Sequence, residues 1–183
     1  MPGTESLWAE SAARPANEGR PDEQPSAAGL APVIIYTDGA CIGNPGPGGY
    51  GAVLLCKGKR LELSGGFRRT TNNRMEIMAA IAALKALKRP SRVLLHTDSK
   101  YLADAMAQGW ARRWRANGWR RNARERALNP DLWAQLLDLC DRHEVSFVWV
   151  RGHAGNPENE RCDQLSLQAA ARLDLPDDPG YEG

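Results

Sequence analysis

The sequence predicts an α/β domain in which a mixed β-sheet carries helices packed against it. Three observations lead there. Runs rich in β-branched and aliphatic residues at 33–37, 93–97 and 145–150 read as buried strands. Apolar residues recur at helical spacing at Ile77, Ala80, Ile81, Leu84 and Leu87. The order of elements is three strands in succession, then strands separated by helices, so a meander supplies antiparallel pairs and helical crossovers supply parallel ones.

The first strand, Val33 to Thr37, runs into Asp38-Gly39 and then into Gly43-Asn44-Pro45-Gly46-Pro47-Gly48-Gly49, a loop dense in backbone-permissive residues. Tyr50 to Leu55 and Arg60 to Leu63 form a hairpin around Lys57-Gly58-Lys59. Thr70 to Lys88 reads as a helix, stopped by Pro90. Val93 to Thr97 is a strand running into Asp98, after which Ser99 caps a helix ending near Gly109. Asn129-Pro130-Asp131 starts another helix, with Asn129 as cap, proline in the first turn, and a core face of Trp133, Leu136, Leu137 and Cys140. Val145 to Val150 is the last strand, and Asn156-Pro157 opens a last helix through about Leu173.

A chain of 183 residues is one domain of ordinary size with room for tails. With 42% hydrophobic and 25% charged residues it belongs with soluble globular proteins. No apolar run approaches the ~20 residues that span a bilayer, so no membrane partner is expected. Met1-Pro2-Gly3-Thr4-Glu5 lacks the basic start and apolar stretch of a secretory signal. Cys41, Cys56, Cys140 and Cys162 stand far apart with no Cys-x-x-Cys pair, which reads as four reduced thiols in a cytoplasmic protein. Residues 1–31 hold only Met1, Leu7, Trp8 and Leu30 as large apolar residues and read as a disordered extension. The folded domain is expected over 32–173, and 174–183 as an acidic C-terminal tail.

The net charge of +2 conceals an asymmetry: −3 over 1–30, −4 over 174–183 and +9 between them. Residues 110–126 alone carry seven arginines against one glutamate. Such a block suits a polyanionic partner or a solvated arginine-rich helix, and composition leaves both open.

Two strands deliver an aspartate at their C-terminal ends, in the phrases Thr37-Asp38-Gly39 and Thr97-Asp98-Ser99. If the strands are neighbours, the acids meet at the sheet edge where ligand sites of α/β folds gather. Paired carboxylates imply a raised pKa or a bound cation; taken singly, Asp98 reads as a helix cap and Asp38 as a turn former. Glu76 borders the core face of the helix that Thr70-Thr71-Asn72-Asn73-Arg74-Met75 begins. Asp163 sits early in the last helix, beyond the loop Arg151-Gly152-His153-Ala154-Gly155-Asn156 that presents a histidine.

These phrases, from Thr37-Asp38-Gly39-Ala40-Cys41 through Gly51, Thr70 to Glu76, Thr97-Asp98-Ser99 with Tyr101, and Gly152-His153-Ala154-Gly155 with Asn159-Glu160 and Cys162-Asp163, resemble the four motifs of type 1 ribonuclease H in family order, over about residues 32–173. The resemblance implies a ribonuclease H-like fold: a five-stranded mixed sheet, a three-strand antiparallel meander plus two parallel strands, flanked by helices. It implies an endoribonuclease that hydrolyses the RNA strand of RNA–DNA hybrids by a two-metal-ion mechanism. Such an enzyme leaves 3′-hydroxyl and 5′-phosphate ends and removes primers and R-loops during replication and repair. Asp38, Glu76, Asp98 and Asp163 match the metal-binding carboxylates, for two Mg²⁺ with Mn²⁺ as a substitute. His153 matches the loop histidine that assists proton transfer or product release. Cys41, Asn44, Asn72 and Asn73 match positions touching the hybrid, and Thr71 a contact in the pocket for a DNA phosphate. Lys100 stands where many relatives have glutamine, which turns a minor-groove contact into one with phosphate. The segment 110–126 resembles the family's basic protrusion, a clamp on the DNA backbone through Arg112, Arg113, Arg120 and Arg121, with Trp110 or Trp119 against sugars and Trp114 packed on the domain. A monomer with no stable protein partner is expected. A non-catalytic hybrid binder would have lost a carboxylate, and other nucleases or integrases of this fold would lack the Asn72-Asn73 pair and the protrusion.

Overall fold

The computed structural model describes residues 31–183, so the extension expected at the N-terminus lies, but for Ala31, outside the described residues. The elements follow the expected order: β1 (Val33–Cys41), β2 (Gly46–Cys56), β3 (Lys59–Thr70), α1 (Asn72–Lys85), β4 (Arg92–Thr97), α2 (Lys100–Ala107), α3 (Trp110–Ala116), α4 (Pro130–Arg142), β5 (Glu144–Trp149) and α5 (Pro157–Ala170). They build one five-stranded sheet in the order β3-β2-β1-β4-β5. β1, β2 and β3 pair antiparallel, whereas β4 is parallel to both β1 and β5.

The sheet is the middle of three layers. On one face α1 to α4 enclose the main core, where Ile35, Leu54, Ile81, Leu95, Leu102 and Trp133 are completely buried. Each such side chain contributes about 1.5–3 kcal/mol by leaving water. On the other face α5 lies across β1, β2 and β3, with Cys162 and Leu165 against Val53. Two glycines set how closely the helices approach. A Cβ on Gly51 would stand 2.5 Å from the carbonyl oxygen of Cys162, and one on Gly39 would stand 2.4 Å from the backbone nitrogen of Glu76. No side chain fits at either point, so α5 and α1 rest on main chain.

The boundaries differ from expectation in four instructive places. β2 and β3 extend into the glycine-rich stretches, because Gly48, Gly49 and Tyr50 pair with Phe67, Gly66 and Gly65. Glycines that read as breakers are required there: a Cβ on Gly66 would meet the Gly48 carbonyl at 2.3 Å. Thr70 closes β3 rather than opening the helix, and Thr71 is the cap of α1, its hydroxyl accepting from the Arg74 N–H at 3.3 Å. Asn129 precedes α4 without capping it by side chain; its Oδ1 accepts from Arg74 Nη1 instead, at 3.3 Å. The acidic segment 174–183 is not a free tail. The Arg68 N–H donates to the Pro176 carbonyl at 2.8 Å, Leu175 is buried, and Asp178 is buried against Thr70 and Arg74.

Candidate active site

β1 and β4 are adjacent and in register, Thr37 opposite Thr97, so the residues that follow, Asp38 and Asp98, come side by side. Asp98 lies just past β4, whereas β1 runs on beyond its expected end at Thr37 to Cys41, because Asp38 to Cys41 continue to pair with Gly48 to Gly51 of β2. α1, seated on Gly39, brings Glu76 to the same point. One oxygen from each of Asp38, Glu76 and Asp98 lies within 4.8 Å of the other two. Asp38 and Glu76 are each 7% exposed. Burial, reinforced by Asp98 and Asp163, pushes the Asp38 carboxyl up to about 8, although the Gly39 N–H, 2.8 Å from Oδ1, opposes this. Burial, with Asp38 and Asp98 adding to it, raises Glu76 well above the usual carboxylate range. Glu76 Oε2 is buried with no hydrogen-bond partner. An orphaned oxygen among mutually repelling acids is what a hard divalent cation relieves, so the donor set fits such an ion.

Asp163 stands on α5, half-buried, near enough to raise the proton affinity of Asp38 though outside the tight trio. The preceding loop leaves His153 exposed with a left-handed φ of 52°. At the other side, the loop after β1 is drawn against the start of α1. The Asn72 N–H donates to Asn44 Oδ1 at 3.2 Å, and the Cys41 thiol lies 3.4 Å from the carbonyls of Gly46 and Thr70. Cys41, Asn44, Thr71, Asn72 and Asn73 therefore form one polar neighbourhood, with Asn44 and Asn73 exposed. Lys100 is exposed, pairs with Asp104 at 3.4 Å and has its ammonium 5.9 Å from the ring centre of Trp149.

The arginine-rich block divides. Trp110, Arg113, Arg120 and Arg121 line an open groove of about 650 Å³ together with Trp114 and Asn117. Arg112 instead pairs with Asp141 at 2.7 Å, and Arg115 with Asp138 at 3.0 Å, tying α3 to α4. Trp114 is buried as expected, 6.2 Å from the ring of Tyr101 and edge-on to Trp133. Trp119 packs half-buried against the core and is not part of the groove lining. The residues that sequence reasoning missed are the ones fastening these elements. Asn159 donates to the Asp98 carboxylate, the Trp149 indole to the Asp98 carbonyl, and Arg74 to Asp131 and Asp178. Asn159 stood inside a recognised motif, which was the only signal for it.

The family model for RNase H matches residues 31–171. The chain belongs to the RNase H family. The ribonuclease H of Syntrophus aciditrophicus (strain SB) is 69% identical over 149 residues, a match spanning 81% of this chain and 86% of that one. Among solved structures, LC9-RNase H1, a type 1 RNase H with the type 2 active-site motif, is 33% identical with a TM-score of 0.68, covering 77% of this chain and 72% of that one. LC11-RNase H1, solved in complex with RNA/DNA hybrid, is 28% identical with a TM-score of 0.59, covering 75% of this chain and 96% of that one. The RNase H family is divalent-metal dependent, and the acidic trio is the corresponding feature here. As a type 1 RNase H, the chain is an endoribonuclease acting on the RNA strand of RNA–DNA hybrids. None of its described helices is long and apolar enough to cross a membrane.

Proposed function

We propose that this RNase H, acting as a cytoplasmic monomer, uses Asp38, Glu76, Asp98 and Asp163 to hold two Mg²⁺ ions at the scissile phosphate, with Mn²⁺ as a substitute. The observation that carries this is the convergence of Asp38, Glu76 and Asp98 oxygens within 4.8 Å, brought together by β1, α1 and the turn after β4. Magnesium bound there supplies charge neutralisation and an activated water, the two requirements of phosphodiester hydrolysis. The protein's own residues do the rest. Asp38 and Glu76 give up protons that burial otherwise makes them keep. His153, on an exposed loop, takes up or delivers a proton near the leaving oxygen or eases product exit. Cys41, Asn44, Asn72 and Asn73 touch the hybrid, in part through its minor groove, and Thr71 contributes to the seat of a DNA phosphate. Lys100 contacts a phosphate beside them.

Trp110, Arg113, Arg120 and Arg121 take the DNA strand's backbone in their groove, guanidinium groups to phosphates and the indole to a sugar. Arg112 enters this contact by exchanging Asp141 for a phosphate, and Trp119 supports the groove from behind. The 2′-hydroxyl marks the strand to be cut. A gel assay with labelled RNA–DNA, RNA–RNA and DNA–DNA duplexes, with and without Mg²⁺, tests the assignment. Cleavage of the RNA strand in the hybrid alone, and only with the ion, is the expected result; equal cleavage of RNA–RNA duplex contradicts it.

A further inference from the structure

Three residues of the stretch from the end of β5 to the start of α5 converge on Asp98. Trp149, the last residue of β5, donates its indole N–H to the Asp98 backbone carbonyl at 3.1 Å. Asn159, in the first turn of α5, donates its side-chain amide to Asp98 Oδ2 at 3.2 Å. Between them the chain passes so close that a Cβ on Gly152 would stand 2.8 Å from the same Oδ2. Asn159 is 2% exposed, so its amide is shielded from water on its own side of this bond. Its other amide atom, Oδ1, is buried with no hydrogen-bond partner. The amide orientation is therefore set by Asp98 alone, since the reversed amide would turn an oxygen against a carboxylate oxygen.

We propose that Asn159 is a positioning residue for Asp98, with Trp149 as a second fastening, so that the aim of this carboxylate toward Asp38 and Glu76 is set by the segment that also carries His153. The inference rests on the reading of Asp98 as a metal-holding residue. An amide suits the task because it fixes one carboxylate oxygen without bringing positive charge into a site meant for a cation. A lysine or arginine at the same place would compete with that cation. Because the stretch is tied to Asp98 at both ends, His153 hangs from a loop with fixed feet.

The test uses the full chain, with Asn159→Ala, Trp149→Phe and Asp98→Asn prepared in parallel. Calorimetric titration with MgCl₂ in the absence of nucleic acid gives ion affinity directly; steady-state cleavage gives kcat and hybrid KM separately, and metal-free melting checks folding. Removing a group that orients a metal ligand costs about 10–100-fold in ion affinity or activity. Asn159→Ala is accordingly expected to weaken Mg²⁺ binding and lower kcat by about tenfold or more, with hybrid KM within about twofold of the parent. Trp149→Phe, at a half-exposed position that tolerates the change, is expected to show about a threefold effect in the same direction, the size of one lost hydrogen bond to the backbone. Parental Mg²⁺ affinity and kcat in a folded Asn159→Ala overturn the proposal, as does a defect confined to hybrid KM. If Asn159→Ala does not fold, parental behaviour of Trp149→Phe overturns it. Unaltered Mg²⁺ binding in Asp98→Asn overturns the reading of Asp98 itself, and the inference with it.

Discussion

Arg74 and Asp178 lie 104 residues apart in the chain and meet in a buried two-pronged ion pair, Nε to Oδ2 at 2.6 Å and Nη2 to Oδ1 at 2.9 Å. The side chains are 2% and 1% exposed. Asp131 grips the other edge of the guanidinium at 2.7 and 2.9 Å, and Thr70 donates to Asp178 at 2.7 Å. The start of α1, the start of α4, the end of β3 and the segment after α5 are thus joined through one arginine.

Asp178→Ala should therefore destabilise the protein strongly. Removing one partner of a buried pair costs about 3–5 kcal/mol because the other charge is left uncompensated. The lower end of that range is expected, since Asp131 remains. Guanidinium denaturation of Asp178→Ala and Asp178→Asn measures it. A loss below about 1 kcal/mol would place the pair with exposed ones.

Asp38→Asn should abolish cleavage while the protein still folds and binds hybrid. The amide keeps the shape but removes one anionic oxygen from the trio. His153→Ala, on an exposed loop, should only slow turnover, because water partly replaces a mobile proton carrier. Single-turnover assays at saturating Mg²⁺ separate the two; near-parental turnover in Asp38→Asn would defeat its assignment.

The metal-free protein should lose stability as pH rises. Asp38 moves from an ordinary 3.8 to about 8 on folding, and Glu76 shifts in the same direction. The folded state therefore holds protons that the unfolded state releases. The stabilisation is complete below about pH 4 and disappears as pH climbs through about 8, each tenfold change in proton affinity being worth about 1.4 kcal/mol. Denaturant melts in EDTA at pH 5, 7 and 9 should show the decline, and Asp38→Asn should flatten it. Because bound cations need the deprotonated carboxylates, the Mg²⁺ concentration for half-maximal activity should fall over the same interval.

Hybrid affinity should depend on salt through the groove arginines. Each phosphate contact contributes a slope of about −0.9 in log affinity against log salt on duplex DNA. Removing Arg113, Arg120 and Arg121 together should flatten the slope by roughly two to three units and raise KM more than it lowers kcat. Arg112→Ala should flatten the slope by up to about one unit, because Arg112 exchanges Asp141 for a phosphate in the complex. Fluorescence anisotropy across a salt series reads both.

The two aspartates were legible because each follows an apolar strand run, and a parallel crossover makes those strands neighbours. That β1 continues past Asp38 to Cys41 was hidden, because its glycine partners in β2 read as a loop. Glu76 was legible only through the polar phrase Thr70 to Met75 that leads into it, since a glutamate beside a helical apolar stripe is ordinarily a solvated edge residue. The element order emerged whole, since periodicity is local. Gly65-Gly66 hid the length of β3, because a breaker and a residue demanded by a neighbouring carbonyl look alike in sequence. Asp178 hid inside an acidic run, its partner being an arginine more than a hundred positions earlier. Asn159 hid its target likewise: nothing near it in the chain says that its amide will face Asp98, 61 residues away.

The glycine seats have a practical meaning for anyone wishing to alter this enzyme. With α1 resting on Gly39 and α5 on Gly51, the spacing of the carboxylates is gauged by backbone thickness, not by the bulk of the residues filling the interior. Exchanges among Leu54, Ile81, Leu95 and Trp133 can then tune heat tolerance without disturbing that gauge, provided volume is conserved. A single added methyl at either seat acts in the opposite way. It leaves the interior untouched and wedges a whole helix, with its acid, out of line.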